Sequence, residues 1–142
     1  MINEDCNIHN SVKIIEPVNI YGCTLKKDVF VGPFVEIQND VFIDEGTRIQ
    51  SHTFICSEVN LGKNCFVGHG VMFINDTFSD GSVNFSEPFE KTIIEDDVII
   101  GSNATILPVK IVSGTVIGAG SVVTKDIIEP GKYAGNPARK LA

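Results

Sequence analysis

Residues 25–73 read LKKDVFVGPFVEIQNDVFIDEGTRIQSHTFICSEVNLGKNCFVGHGVMF, and every sixth position from Leu25 is apolar: Val31, Ile37, Ile43, Ile49, Ile55, Leu61, Val67 and Phe73. Two positions before each stands a small or β-branched residue, from Cys23 and Val29 through Thr47 and Thr53 to Cys65 and Val71. The residue that follows is often glycine or aspartate, as at Gly32, Asp44, Gly62 and Gly68. A fixed period is the signature of a stacked-repeat architecture. A period of six suits neither an amphipathic helix nor an array of simple hairpins.

Strand geometry turns this period into a shape. Side chains alternate across a strand, so positions i and i−2 share one face. With a large apolar residue at i and a small one at i−2, that face lines a narrow interior. The turn that follows wants Gly, Asn or Asp, which tolerate positive φ. Three strand-plus-turn units close one triangular coil, and successive coils stack as parallel strands. The expected class is all-β: a parallel β-helix with eighteen residues per coil.

The pattern extends both ways. Ile8, Ile14 and Ile20 keep the six-step, and a one-residue deletion near Tyr21-Gly22 then shifts the phase to Leu25. The polar Asn3-Glu4-Asp5 segment is expected to cap the open end. Between Asp76 and Lys91 the repeat stops, which predicts a long excursion loop over residues 76–91. Its three phenylalanines argue against full disorder, and Pro88 and Phe89 are expected to anchor it. The period resumes at Ile94, Ile100 and Ile106 and, after a second shift, at Ile111, Ile117 and Val123. Residues 127–142, with Pro130, Gly131, Gly135 and Pro137, read as a closing segment laid on the last coil. The expectation is one domain over 1–142, of roughly six coils and about 29 Å tall at one strand spacing per coil.

Positions one before each core residue point outward. They stack Phe30, Arg48 and Phe66 on one face and Glu36, Phe54 and Met72 on the next, with Phe42 on the third. Stacked outward aromatics predict a subunit interface. A net charge of −7 argues against wholesale nucleic-acid binding. No apolar run approaches a membrane span, and Met1-Ile2-Asn3-Glu4-Asp5 does not read as a signal peptide. Cys6, Cys23, Cys56 and Cys65 form no CxxC pair. They read as structural thiols of a reduced, cytoplasmic protein without a metal site.

Three further stretches carry a resemblance. Ile100-Gly101-Ser102-Asn103-Ala104-Thr105-Ile106-Leu107-Pro108, Val116 to Asp126, and Ala134-Gly135-Asn136-Pro137-Ala138-Arg139 resemble the coenzyme A end of the hexapeptide-repeat acyltransferases. The resemblance implies a left-handed winding, against the usual right-handed crossover rule. It also implies acetyl-CoA as co-substrate, with Gly101, Ala104, Ala119, Lys125, Arg139 and Lys140 as its binding residues. Charge supports this independently. Residues 101–142 hold five basic and two acidic side chains, a balance of +3, against six basic and sixteen acidic, −10, in the first hundred. Lys and Arg at that end attract the phosphates of coenzyme A.

Phe30 to Asn39 and Gly68 to Asp76 are similar to the N-acetyltransferases of nucleotide-linked 3-amino sugars. That likeness implies acetyl transfer to the amine of such a sugar, a dTDP-3-amino-3,6-dideoxyhexose for preference, in a homotrimer with sites between subunits. Asn75 matches the residue those enzymes aim at the acceptor amine, with Asp76 as a candidate partner. Many relatives use a His as base. His52 and His69, seventeen apart, belong on adjacent coils at nearly the same corner and are candidates, although a structural pair fits them as well. Residues 76–81 hold no Arg or Lys to pair with a uronic-acid carboxylate. Alternatives are an O-acetyltransferase, a non-catalytic scaffold, or a γ-carbonic-anhydrase-like metal protein. The last needs three interface histidines, and only His52 and His69 are suitably placed.

Overall fold

The computed structural model describes residues 1–86 and 88–142, and in it the six-residue period closes into a triangular solenoid. The first coil holds β1 (Asn7–Ile8), β2 (Lys13–Ile14) and β3 (Asn19–Ile20); the second holds β4 (Thr24–Leu25), β5 (Phe30–Val31) and β6 (Glu36–Ile37). The third is β7 (Phe42–Ile43), β8 (Arg48–Ile49) and β9 (Phe54–Ile55), and the fourth is β10 (Val59–Leu61), β11 (Phe66–Val67) and β12 (Met72–Phe73). Beyond the excursion come β13 (Thr92–Ile94), β14 (Ile99–Ile100) and β15 (Thr105–Ile106), then β16 (Lys110–Ile111), β17 (Val116–Ile117) and β18 (Val122–Val123). Finally β19 (Lys132–Ala134) lies parallel on β17, and β20 (Arg139–Lys140) turns back antiparallel on β19.

Every third strand stacks on one face. The first face carries β1, β4, β7, β10, β13 and β16; β2 heads the second and β3 the third. This is a left-handed parallel β-helix of about seven turns. Six coils are complete, and Ile2 beside Ile20 and Ile127 beside Ile111 begin further turns at the two ends. Near the lower end Asp5 accepts the Gly22 N–H at 2.8 Å, which ties the polar N-terminal segment to the irregular corner.

The core is the periodic set itself. Val31, Ile37, Ile43, Ile49, Ile55, Leu61, Val67 and Phe73 are fully buried, and like residues stack directly, Leu25 on Ile43 and Ile43 on Leu61. Two of the polar residues at the small inward position find partners in the coil above. Thr47 and Thr53 donate their hydroxyls to the carbonyls of Gly62 and Gly68 at 2.6 and 2.9 Å, which offsets the cost of burying them. Cys65 fills the same kind of position, and burial pushes its thiol pKa up.

The turns are built differently from the sequence expectation. Positive φ falls three residues after each core residue, at Asp28, Phe34, Asp40, Gly46, His52, Glu58, Asn64 and Gly70. The glycines directly after the core residues have another duty. A Cβ on Gly68 would stand 2.8 Å from the Ser102 backbone nitrogen in the coil above, closer than real Cβ contacts come. Those glycines let one coil sit against the next.

The excursion leaves after β12 and returns at β13. Stacked positions across it are 33 residues apart (Val59 on Thr92) instead of 18 (Phe42 on Asn60), a fifteen-residue insertion. Phe89 is half-buried and anchors the loop, whereas Pro88 is exposed and does not; Phe85 is 90% exposed. The outward column Phe30, Arg48, Phe66 forms as expected, with the Arg48 guanidinium stacked 4.1 Å above the Phe30 ring centroid.

Candidate active site

Asn75 sits where the chain leaves the prism, at the corner between the third and first faces. Ser57 and Asn39 occupy the same corner one and two coils below. The Asn75 Nδ2 donates to the Ser57 carbonyl oxygen and to Ser57 Oγ, each at 3.0 Å. Its Oδ1 has no protein partner among the described residues. Asn75 borders two cavities that are lined in part by the excursion. One, of about 380 Å³, is polar and includes Asp76, Ser79, Asp80, Asn84 and Glu90. The other, of about 420 Å³, is walled by Phe54, Cys56, Ile74, Phe78, Val83 and Phe89. Burial pushes the Cys56 thiol up to about 12, so it stands in the apolar wall as a neutral group.

Asp76 has a structural task. One carboxylate oxygen accepts the Phe78 N–H at 3.0 Å and the other the Asn84 N–H at 2.7 Å, which clamps the two arms of the loop. Hydrogen bonds from Ser82 hold the Asp80 carboxyl below its ordinary pKa.

The histidines lie at the opposite end of β12, at the corner between the second and third faces. They occupy adjacent coils there, yet they do not pair with each other. The His69 Nδ1 is 2.9 Å from Ser51 Oγ, and its backbone N–H donates to Ser102 Oγ at 3.2 Å. His52 is a corner residue with φ of 66°, its ring centroid 4.9 Å from that of Phe34. The four catalytic candidates therefore separate into two pairs, at the two corners that bound the third face. Among the described residues no three His, Cys, Asp or Glu side chains converge as a metal-ligand group.

The six donor-end candidates also divide. Lys125, Arg139 and Lys140 come together around a depression of about 240 Å³ with Thr124, Tyr133 and Ala138. Lys140 is 3.3 Å from Glu129 there, so its charge is partly matched already, whereas Lys125 and Arg139 are exposed. This cluster fits a phosphate-bearing ligand. Ala104 does not contribute a side chain to it: it is wholly buried, an interior position of the fifth coil. Gly101 is small for the same reason as Gly68, since its Cβ would stand 2.5 Å from the Ala119 nitrogen. Lys125 shares its prism edge with Asn75, two coils higher, roughly 10 Å along the axis at one strand spacing per coil.

Known proteins are similar to this chain in sequence and in fold. Residues 91–125 fit the model of the hexapeptide repeat of succinyl-transferase. Over these residues the chain carries that hexapeptide repeat. Among curated relatives, the bifunctional protein GlmU of Thermotoga maritima is 37% identical over 141 residues, covering 87% of this chain. This hexapeptide-repeat chain spans only 29% of that protein's length. Among solved structures, PerB from Caulobacter crescentus, in complex with CoA and GDP-perosamine, superposes with a TM-score of 0.70 at 20% identity, covering 99% of this chain and 56% of PerB. A variant of AntD, an N-acyltransferase from Bacillus cereus in complex with dTDP and coenzyme A, gives 0.73 at 20% identity, covering 99% of this chain and 78% of AntD. At that identity the likeness is one of fold.

Sequence reasoning missed Ser57 and Gln38 below Asn75, and Ser51 beside His69. The stacking period held the signal, because Ser57 lies eighteen residues before Asn75 and Ser51 eighteen before His69.

Proposed function

We propose that the chain is an N-acetyltransferase that moves the acetyl group of acetyl-CoA to the amine of a nucleotide-linked amino sugar. The observation that carries the reading is the orientation of Asn75. Its NH2 is committed to Ser57, leaving Oδ1 at the cavities under the loop. A carbonyl oxygen accepts an amine N–H and thereby directs the nitrogen lone pair, which is catalysis by positioning. The nitrogen attacks the acetyl carbonyl carbon, the new C–N bond forms and the C–S bond breaks. The coenzyme A thiolate leaves with the electron pair and takes the proton that the amine gives up. Lys125, Arg139 and Lys140 hold the phosphates of the donor. The CoA and GDP-perosamine bound in the PerB structure, and the dTDP and coenzyme A bound in the AntD variant, support the two halves of the reading.

For the acceptor we favour a neutral 6-deoxy sugar, a dTDP-3-amino-3,6-dideoxyhexose, over a UDP-aminouronate. Asp76, Asp80 and Glu90 surround the polar cavity and repel a carboxylate, while Phe54, Phe78 and Phe89 offer apolar surface to a C6 methyl group. In the same reading the protein is a cytoplasmic homotrimer, assembled through the faces that bear Phe30, Phe54, Phe66 and Met72.

A panel of nucleotide amino sugars, assayed with acetyl-CoA for free thiol, tests the function. Turnover with the 3,6-dideoxy substrate and a lower kcat/KM for the uronate is expected; the reverse preference overturns the sugar assignment. Calorimetry without acetyl-CoA binding at high micromolar concentration overturns the enzyme reading in favour of a scaffold. Light scattering of a stable 15.4 kDa monomer overturns the trimer.

A further inference from the structure

We propose that Ser57 is a positioning residue that sets which face of the Asn75 amide meets the acceptor. This rests on reading Asn75 as the residue that faces the acceptor amine. An isolated primary amide presents its oxygen and its NH2 with little preference, and only one of the two can accept an amine N–H. At this corner the choice is made by Ser57, whose carbonyl admits a single role. The Ser57 carbonyl oxygen can only accept, so at 3.0 Å it takes an N–H of Asn75. Ser57 Oγ, also 3.0 Å from the same nitrogen, takes the second. Both amide hydrogens are then engaged by one residue, and Oδ1 is turned to the cavities.

Ser57 is itself held. It is buried, and its backbone N–H, which can only donate, meets the Gln38 Oε1 at 3.1 Å. The Gln38 amide is thereby oriented too, its Nε2 lying 3.5 Å from the Glu36 carboxylate. A column of hydrogen bonds runs up one edge of the prism, Gln38 to Ser57 to Asn75, through coils two, three and four. Cores of stacked strands move little, so the column holds the Asn75 oxygen in place before any substrate arrives.

The test compares Ser57→Ala, which removes one acceptor, with Ser57→Thr, which keeps both. In the free protein the Asn75 side-chain NH2 pair, assigned by its disappearance in Asn75→Asp, is read in a nitrogen–proton correlation spectrum. Slow exchange is expected in the wild type and in Ser57→Thr, and faster exchange with a shifted resonance in Ser57→Ala. Turnover of Ser57→Ala is expected to fall about five-fold, the loss of one hydrogen bond, with the KM for acetyl-CoA unchanged and with recovery in Ser57→Thr. An unchanged amide pair, or unchanged kcat, in Ser57→Ala overturns the proposal. If the amide responds but Asn75→Ala turns over like the wild type, the column stands and the catalytic reading of Asn75 fails.

Discussion

The two ends of β12 make an instructive pair. At one end His69 sits in a closed corner, where Gly70 supplies the positive φ and the chain passes directly into the next strand. At the other, Asn75 sits where the repeat is interrupted and the excursion begins. Both side chains are held from the coil below, His69 by Ser51 and Asn75 by Ser57. Only Asn75 has walls. A closed corner of a narrow prism is convex and leaves its side chains in solvent, as His52 and His69 are. An interrupted corner gains a second surface, the loop, and with it enclosed volume.

The contrast can be broken at several strengths. The largest effect belongs to the closed corner's architecture. Gly68→Val, whose Cβ would stand 2.8 Å from the Ser102 nitrogen, is expected to abolish the cooperative thermal transition seen by circular dichroism. Phe85→Ser, in the excursion, should shift stability by less than about 0.5 kcal/mol. A folded Gly68→Val protein would show that the coils can separate locally. Next, Asn75→Ala should lower kcat by about 100-fold with little change in the acetyl-CoA KM, whereas His69→Ala should cost less than about 10-fold. The opposite ranking, measured at saturating substrates, transfers the chemistry to the histidine corner.

Smaller effects sharpen the role of the loop. Asp76→Asn keeps one accepting oxygen and loses the other. One arm of the clamp should loosen, raising the KM for the sugar nucleotide about five-fold with kcat nearly preserved, a loss the size of one hydrogen bond. A kcat loss with KM intact would instead put Asp76 in the chemistry. The weakest effect is on alkaline stability. The Cys56 thiol rises from an ordinary 9.0 to about 12 on folding. Above pH 9 the unfolded chain loses that proton while the folded chain keeps it, so stability declines between about 9 and 12. Cys56→Ala should flatten this decline in urea titrations followed across that range, and an unchanged pH slope would argue that the thiol is not buried in solution.

Much of this was legible in order of range. The six-residue period and both phase shifts follow from side-chain alternation within a strand, so they are readable one repeat at a time. The stacking of Phe30, Arg48 and Phe66 needed only the coil length. The glycines were harder. Gly32, Gly62 and Gly68 look like turn residues, yet φ is positive elsewhere, including at Phe34 and His52, residue types that a turn rule does not favour. Pro88 looked like an anchor for the loop, but an exposed proline anchors nothing, and Phe89 took that role.

By itself, then, the amino-acid order determined the prism: its three faces, the residues inside it, the place where it is interrupted, and Asn75 at that place. Those features rest on local strand geometry repeated along the chain. Only the tertiary structure decided that Ala104 lies inside the core, that Gly101 is small because Ala119 rests on it, that Asp76 clamps the loop, and that the Asn75 oxygen is the free end of its amide. Each of these is settled by a group on another coil or across the insertion. A period names which residues are stacked, but hydrogen-bond direction and van der Waals contact choose which atoms meet.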